Sequence, residues 1–113
     1  MKLIEFDKLK EKVWFNGKFI NCVDAKTHVL DHSMHFASSV FEGIRVYDYY
    51  PFRLNEHIDR FFKSAELLDY RINFSKKIIK NACLNLIKKN KIKNGYLRPL
   101  SWRRIGSMSP HAV

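Results

Sequence analysis

Glycine and proline are scarce, four and three in 113 residues, which excludes collagenous and linker-like proteins. Only two cysteines are present, Cys22 and Cys83. They lie far apart with no CxxC spacing, so neither a disulfide framework nor a zinc knuckle is indicated, and reduced thiols are expected. No apolar run exceeds three residues, whereas a membrane span needs roughly 20. Residues 1–12 mix acids with lysines where a secretory signal needs a continuous apolar stretch. A soluble, cytoplasmic chain with no membrane partner is the expectation. The loops GxGxxG and GxxxxGK[ST] and the GxSxG elbow are all missing, which removes support for Rossmann, P-loop and serine-hydrolase chemistry despite the Ser38/Ser39 pair. Acid is also short: eleven Asp and Glu face 21 Lys and Arg, a formal charge of +10.

What is present, 46% hydrophobic and 14% aromatic residues, suits one packed domain of ordinary size. The positive excess concentrates between Lys76 and Lys93. There Ser75 can cap a helix, Phe74 can staple onto Ile79, and the pairs Ile78/Ile79, Ala82/Cys83 and Leu86/Ile87 form a broad apolar stripe. The lysines then occupy the wet side of an amphipathic helix, and a nucleic-acid partner is not expected. The alternative is a basic nucleic-acid-binding module using this face and aromatics such as Trp102.

Val13–Phe15 and Lys18–Cys22, separated by Asn16 and Gly17, predict a hairpin with a tight two-residue turn. From Val40 to Tyr49, period-two alternation predicts one strand with Val40, Ile44 and Val46 on one face and Phe41, Gly43, Arg45 and Tyr47 on the other. Asp48–Phe52, with Pro51, turns the chain into a second short strand ending near Leu54. Asn55 is the expected N-cap of a helix to about Asp69, with Ile58, Phe61, Phe62, Ala65 and Leu68 on its apolar stripe. After Asn94 and Gly95, Tyr96–Arg103 predicts a strand in which Pro99 demands an edge position or a bulge. Strand pairs, then two helices, then another strand give an α+β domain, mainly antiparallel sheet with two helices packed on one side.

Several groups could carry chemistry. Gly43 between Phe41 and Arg45 leaves an unfilled slot that reads either as a pocket wall or as a bulge beside an exposed arginine. Tyr96 and Arg98 share a strand face, so a phenol and a guanidinium could converge on one carboxylate. Arg60 reads either as a surface partner of Glu56 or as a bidentate fork for phosphate. His28, His32 and His35 are spaced like helical metal ligands, but the segment does not form a clear long helix and no Cys lies nearby, so no metal site is nominated.

The ordered motifs WFNG (14–17), DAKTHVLDHSMHFASSVFEGIRVY (24–47), LNEHIDRFFKSAE (54–66) and YLRP (96–99) together resemble the N-terminal part of branched-chain amino acid aminotransferases. These belong to the class IV, D-amino acid aminotransferase-like group of pyridoxal 5′-phosphate enzymes. FEGIR and YLRP separate this resemblance from D-amino acid aminotransferases and aminodeoxychorismate lyases. The resemblance implies the small N-terminal domain of that fold over residues 1–103, with 104–113 beginning a connection to a larger domain. It implies Arg60 as the ligand of the cofactor phosphate, Phe41 and Gly43 as the substrate-side wall with Arg45 beside them, and Tyr96 and Arg98 as groups for substrate carboxylate. Phe36 stands where bacterial relatives commonly carry a tyrosine that reaches the substrate of a neighbouring subunit in a homo-oligomer. The substrates implied are leucine, isoleucine or valine and 2-oxoglutarate. The catalytic lysine that attaches the cofactor, and the carboxylate that keeps its ring nitrogen protonated, lie in the larger domain in that family, so this chain by itself is expected to be catalytically incomplete.

Overall fold

A computed structural model describes residues 8–104. The expected connection at 104–113 therefore lies outside the described residues but for Arg104. Strand β1 (Lys12–Phe15) pairs with β2 (Lys18–Asn21). Asn16 and Gly17 both take positive φ, 50° and 97°, the geometry a tight hairpin needs to match strand twist. A 3-10 turn (Cys22–Asp24) and a five-residue helix α1 (His32–Phe36) follow.

The long strand expected from Val40 to Tyr49 is instead two pieces, β3 (Ser39–Phe41) and β4 (Ile44–Tyr47). The strand expected from Tyr96 is likewise split into β6 (Gly95–Leu97) and β7 (Leu100–Trp102). The two breaks are one event. Antiparallel pairing sets Ser39 opposite Trp102 and Val46 opposite Gly95, seven steps apart on each strand, so nothing is inserted and no bulge forms. At the gap the Glu42 amide donates to the Pro99 carbonyl at 3.0 Å, and Pro99, lacking N–H, cannot return the bond, so the ladder opens there. Strand β5 (Tyr50–Pro51) joins β4 through the two-residue turn Asp48–Tyr49 and forms the sheet edge, where a proline is tolerated.

Helix α2 spans Leu54–Leu67, and its N-cap is Arg53, held at φ 54°, rather than the expected Asn55. The chain leaves the β5 edge directly into the helix, so Asn55 is already inside the first turn. Helix α3 spans Lys76–Lys89 and is capped as expected: the Ser75 hydroxyl accepts from the Ile78 amide at 3.2 Å. Its buried stripe is narrower than expected. Ile79, Ala82, Cys83 and Ile87 are buried, but Ile78 is exposed and Leu86 only half-buried, because a helix resting on a small sheet buries a single line of contacts. For the same reason Leu68, just past α2, stays exposed.

The core gathers Ile58 of α2 with Ile79 and Cys83 of α3, with Trp14 of β1, Phe74 and Leu97 of β6 packed around them. Phe74 meets Trp14 edge-on at 5.0 Å, so the staple residue also ties the hairpin to α3. The β4 residues Ile44 and Val46 are fully buried while Tyr47 is exposed, confirming the two strand faces. The result is an α+β domain of small antiparallel sheets.

Seven non-glycine residues among those described hold positive φ. Ala37, at φ 54° and closing α1 with its amide bonded to the Ser33 carbonyl at 3.0 Å, occupies a position where a β-carbon costs about 1–2 kcal/mol and glycine costs about 0.5–1 kcal/mol in unfolded-chain entropy. Ala37→Gly is therefore expected to raise stability by about 0.5–1 kcal/mol, measurable as a higher denaturant midpoint at unchanged slope; a lower midpoint contradicts the assigned backbone.

Candidate functional site

The break in the β3–β7/β4–β6 ribbon organises the site. Glu42 lies on the same pleat face as Ile44 and Val46 and is only 4% exposed. A carboxylate there must be paired, and α2 supplies both partners. His57 Nδ1 lies 2.7 Å from Glu42 Oε1. Arg60 Nε donates to Oε2 at 2.9 Å and to Oε1 at 3.2 Å, and Arg60 Nη2 donates to Oε1 at 2.8 Å. His57 and Arg60 are one helical turn apart, which sets them side by side over the carboxylate.

Burial alone would raise the pKa of Glu42, but the hydrogen bonds and charges of Arg60 and His57 outweigh it and hold the carboxyl below its ordinary value of 4.5. The Glu42 hydrogen bond and charge in turn raise the pKa of Arg60. The surface pairing of Arg60 with Glu56 is not formed; the arginine reaches back to the sheet instead. Its side chain is still 68% exposed.

On the opposite pleat face, Tyr96 lies across from Arg45, and the slot at Gly43 is not empty. A β-carbon there would lie 2.3 Å from Tyr96 Oη, so the ring rests on the glycine. Arg98 Nη2 donates to Tyr96 Oη at 2.9 Å, and Arg98 Cζ sits 4.3 Å from the Phe41 ring centroid. Arg45 lies 5.9 Å from the Tyr47 ring. Phe41, Gly43, Tyr96 and Arg98 thus form one cluster, with Arg45 at its margin, and the Phe41 and Tyr96 side chains are half or more exposed. Phe36 stands apart on α1, its ring tilted 41° to the His32 ring at a centroid distance of 4.6 Å and 38% exposed.

The three histidines do not converge. His28 Nδ1 accepts from the Leu30 amide, His32 Nδ1 meets Ser38 Oγ at 2.7 Å, and His35 Nε2 meets the Val29 carbonyl at 2.9 Å. Among the described residues no metal-ligating group of three forms. Trp102 is tied into the fold: its Nε1 donates to Thr27 Oγ1 and Asp31 Oδ2, both at 3.1 Å, and its ring lies 5.7 Å from Phe15. The hydrogen bond from Thr27, joined by that of Trp102, overcomes burial and lowers the pKa of Asp31.

Glu42 and His57 were not among the residues expected from sequence. The signal was available: period-two alternation places Glu42 on the apolar face with Ile44 and Val46, and a carboxylate on that face demands a cation.

The family model described as amino-transferase class IV matches residues 39–113. A probable branched-chain-amino-acid aminotransferase of Rickettsia felis is 42% identical over 102 residues, which are 90% of this chain and 35% of that protein. The branched-chain-amino-acid aminotransferase of Escherichia coli K12 is 39% identical over 97 residues, 82% of this chain and 31% of that protein. A crystal structure of the Escherichia coli branched-chain amino acid aminotransferase superposes with a TM-score of 0.85 at 36% identity, covering 92% of this chain and 36% of that one. The chain therefore spans about a third of the length of these relatives. Another solved branched-chain amino acid aminotransferase, complexed with N-(5′-phosphopyridoxyl)-L-glutamate, superposes with a TM-score of 0.86 at 36% identity, over 90% of this chain and 36% of its own.

Two outcomes follow from this geometry. Gly43→Ala is expected to push the exposed Tyr96 ring aside and break its bond to Arg98 while the fold survives, seen as shifted Tyr96 ring resonances with the core methyl resonances in place; unmoved Tyr96 resonances contradict it. Glu42, with its lowered folded pKa, contributes stability that is fully present above pH 4.5 and is lost as pH falls through the lower folded value. The difference in unfolding free energy between the wild type and Glu42→Gln should therefore shrink as pH is lowered from 6 toward ~3; a pH-independent difference refutes the assigned pairing.

Proposed function

Because this chain belongs to the class IV aminotransferases, we propose that it is the N-terminal portion of a cytoplasmic branched-chain amino acid aminotransferase. The complete protein would move an amino group between leucine, isoleucine or valine and 2-oxoglutarate with pyridoxal 5′-phosphate. The observation that carries the reading is the state of Arg60. An arginine has five N–H donors in a planar fork, and Glu42 takes the Nε edge and one Nη2 proton. The Nη1–Nη2 end, with no other acceptor among the described residues, is left as a flat, outward-facing pair of donors. That donor set fits a phosphate oxygen pair in the way guanidinium matches phosphate generally.

When bound, the cofactor supplies an electron sink for the charge left as the substrate α-proton departs. The residues of this chain bind and orient. Arg60 anchors the phosphate. Tyr96 and Arg98 receive substrate carboxylate, the arginine being preset by its bond to the phenol and its seat on Phe41. Phe41 and Gly43, with Arg45 beside them, wall the apolar side chain. Phe36 serves a neighbouring subunit of a homo-oligomer, in keeping with its partly exposed ring, 38% accessible at the end of α1. The lysines Lys76, Lys77, Lys88 and Lys89 of α3 are exposed, Lys76 pairing with Asp59 at 3.2 Å and Lys89 lying 4.9 Å from the Phe19 ring centroid, and none is assigned to attach the cofactor. The complete gene product, supplied with leucine and 2-oxoglutarate, is expected to form glutamate and the branched 2-oxo acid; normal cofactor content without glutamate formation would sink the substrate assignment.

A further inference from the structure

We infer that Glu42, braced by His57, is the positioning group for Arg60: it fixes the guanidinium plane so that only the Nη1–Nη2 end is offered to a phosphate monoester. The inference rests on the reading of Arg60 as the phosphate ligand and adds to it the residues that act through that arginine. Arg60 is a long side chain on the exposed side of α2, and without a partner it would sample many rotamers and point its charge in no fixed direction. Three hydrogen bonds of 2.8 to 3.2 Å to a single carboxylate remove that freedom in advance. The carboxylate itself is immobile, because it is 4% exposed, takes a further contact of 2.7 Å from His57 Nδ1, and belongs to a residue whose amide is bonded to Pro99.

Charge and direction oppose each other in this arrangement, which makes the inference testable by sign. A carboxylate next to an anion site weakens the attraction, since it cancels the arginine's charge. If net charge were all that mattered, removing it would tighten phosphate binding. If orientation dominates, removing it loosens binding although the site becomes more positive.

The test uses the complete protein that carries this chain, with its cofactor removed, and compares dissociation constants for pyridoxal 5′-phosphate and pyridoxal, so that the ratio isolates the phosphate. Glu42→Gln is expected to lower the preference for the phosphorylated compound by about tenfold, the size of one well-directed hydrogen bond. A raised or unchanged preference overturns the inference. Arg60→Gln separates the two readings: if it too leaves the preference unchanged, the phosphate reading of Arg60 has failed as well, whereas a loss there with none in Glu42→Gln removes the positioning role alone.

Should Glu42→Gln fail to fold, the unmodified protein decides by the nitrogen resonances of the Arg60 side chain. Adding pyridoxal 5′-phosphate should shift the Nη signals and leave Nε, which Glu42 holds, in place. Movement of Nε shows the phosphate displacing the carboxylate and overturns the inference.

Discussion

A carboxylate on the buried face of a sheet is the constraint from which the rest of this domain can be derived. Glu42 sits where alternation calls for an apolar side chain, between Val40 and Ile44. Its charge can be accommodated only if cations come to it. Helix α2 brings His57 and Arg60 on one face and Ile58 and Phe61 on the next, so the surface that satisfies the carboxylate and the surface that fills the core dock together. The ion pair alone is weak evidence of stability, because one partner stays largely in water. Its effect is on placement: α2 cannot slide or rotate along the ribbon without stranding a buried charge.

The same residue lies at the one place where the ribbon ladder is open. Pro99 removes a donor opposite Glu42, and Gly43 removes a side chain opposite Arg98. Tyr96 fills the space the glycine leaves, and Arg98 is drawn over Phe41 and onto the phenol. The break therefore gives the two faces of a single ribbon different work. The inner face carries the carboxylate that holds Arg60, and the outer face carries the hydrogen-bonded phenol and guanidinium of Tyr96 and Arg98. One gap two residues wide serves both.

Local signals made much of this legible in the sequence. The hairpin followed from Asn16–Gly17, the α3 cap from Ser75, and the strand faces from alternation, because each is decided within a few residues. The grouping of Tyr96 with Arg98 and of Phe41 with Gly43 was readable from strand period for the same reason. The start of α2 was not, since Arg53 enters the helix from a left-handed conformation imposed by the preceding edge strand, and no propensity favours arginine there. Of the two readings open for Arg60, the Glu56 pair was offered because Glu56 is near in sequence, whereas its partner Glu42 is near only after a sheet and a helix have packed. The filled slot at Gly43 has the same origin: what occupies a glycine's space is decided by a residue 53 positions away.

The break also explains a property that the strand and helix pattern alone would not require, the polarity of the domain's outer face. A ribbon packed on one side normally presents an alternating polar surface to water, and scattered apolar residues there need no explanation. Here Phe41, Tyr47, Tyr96 and Leu100 all stand on that side, each half or more exposed, interleaved with Arg45 and Arg98. Aromatic rings alternating with guanidiniums suit a ligand with an apolar body and an anionic end, because the rings contribute contact area while the cations fix direction. A lysine in place of Arg98 could carry the charge but could not both stack on Phe41 and donate edge-on to the phenol. What distinguishes this face is thus the geometry of its arginines rather than the net charge of +10, to which the exposed lysines of α3 contribute elsewhere on the domain.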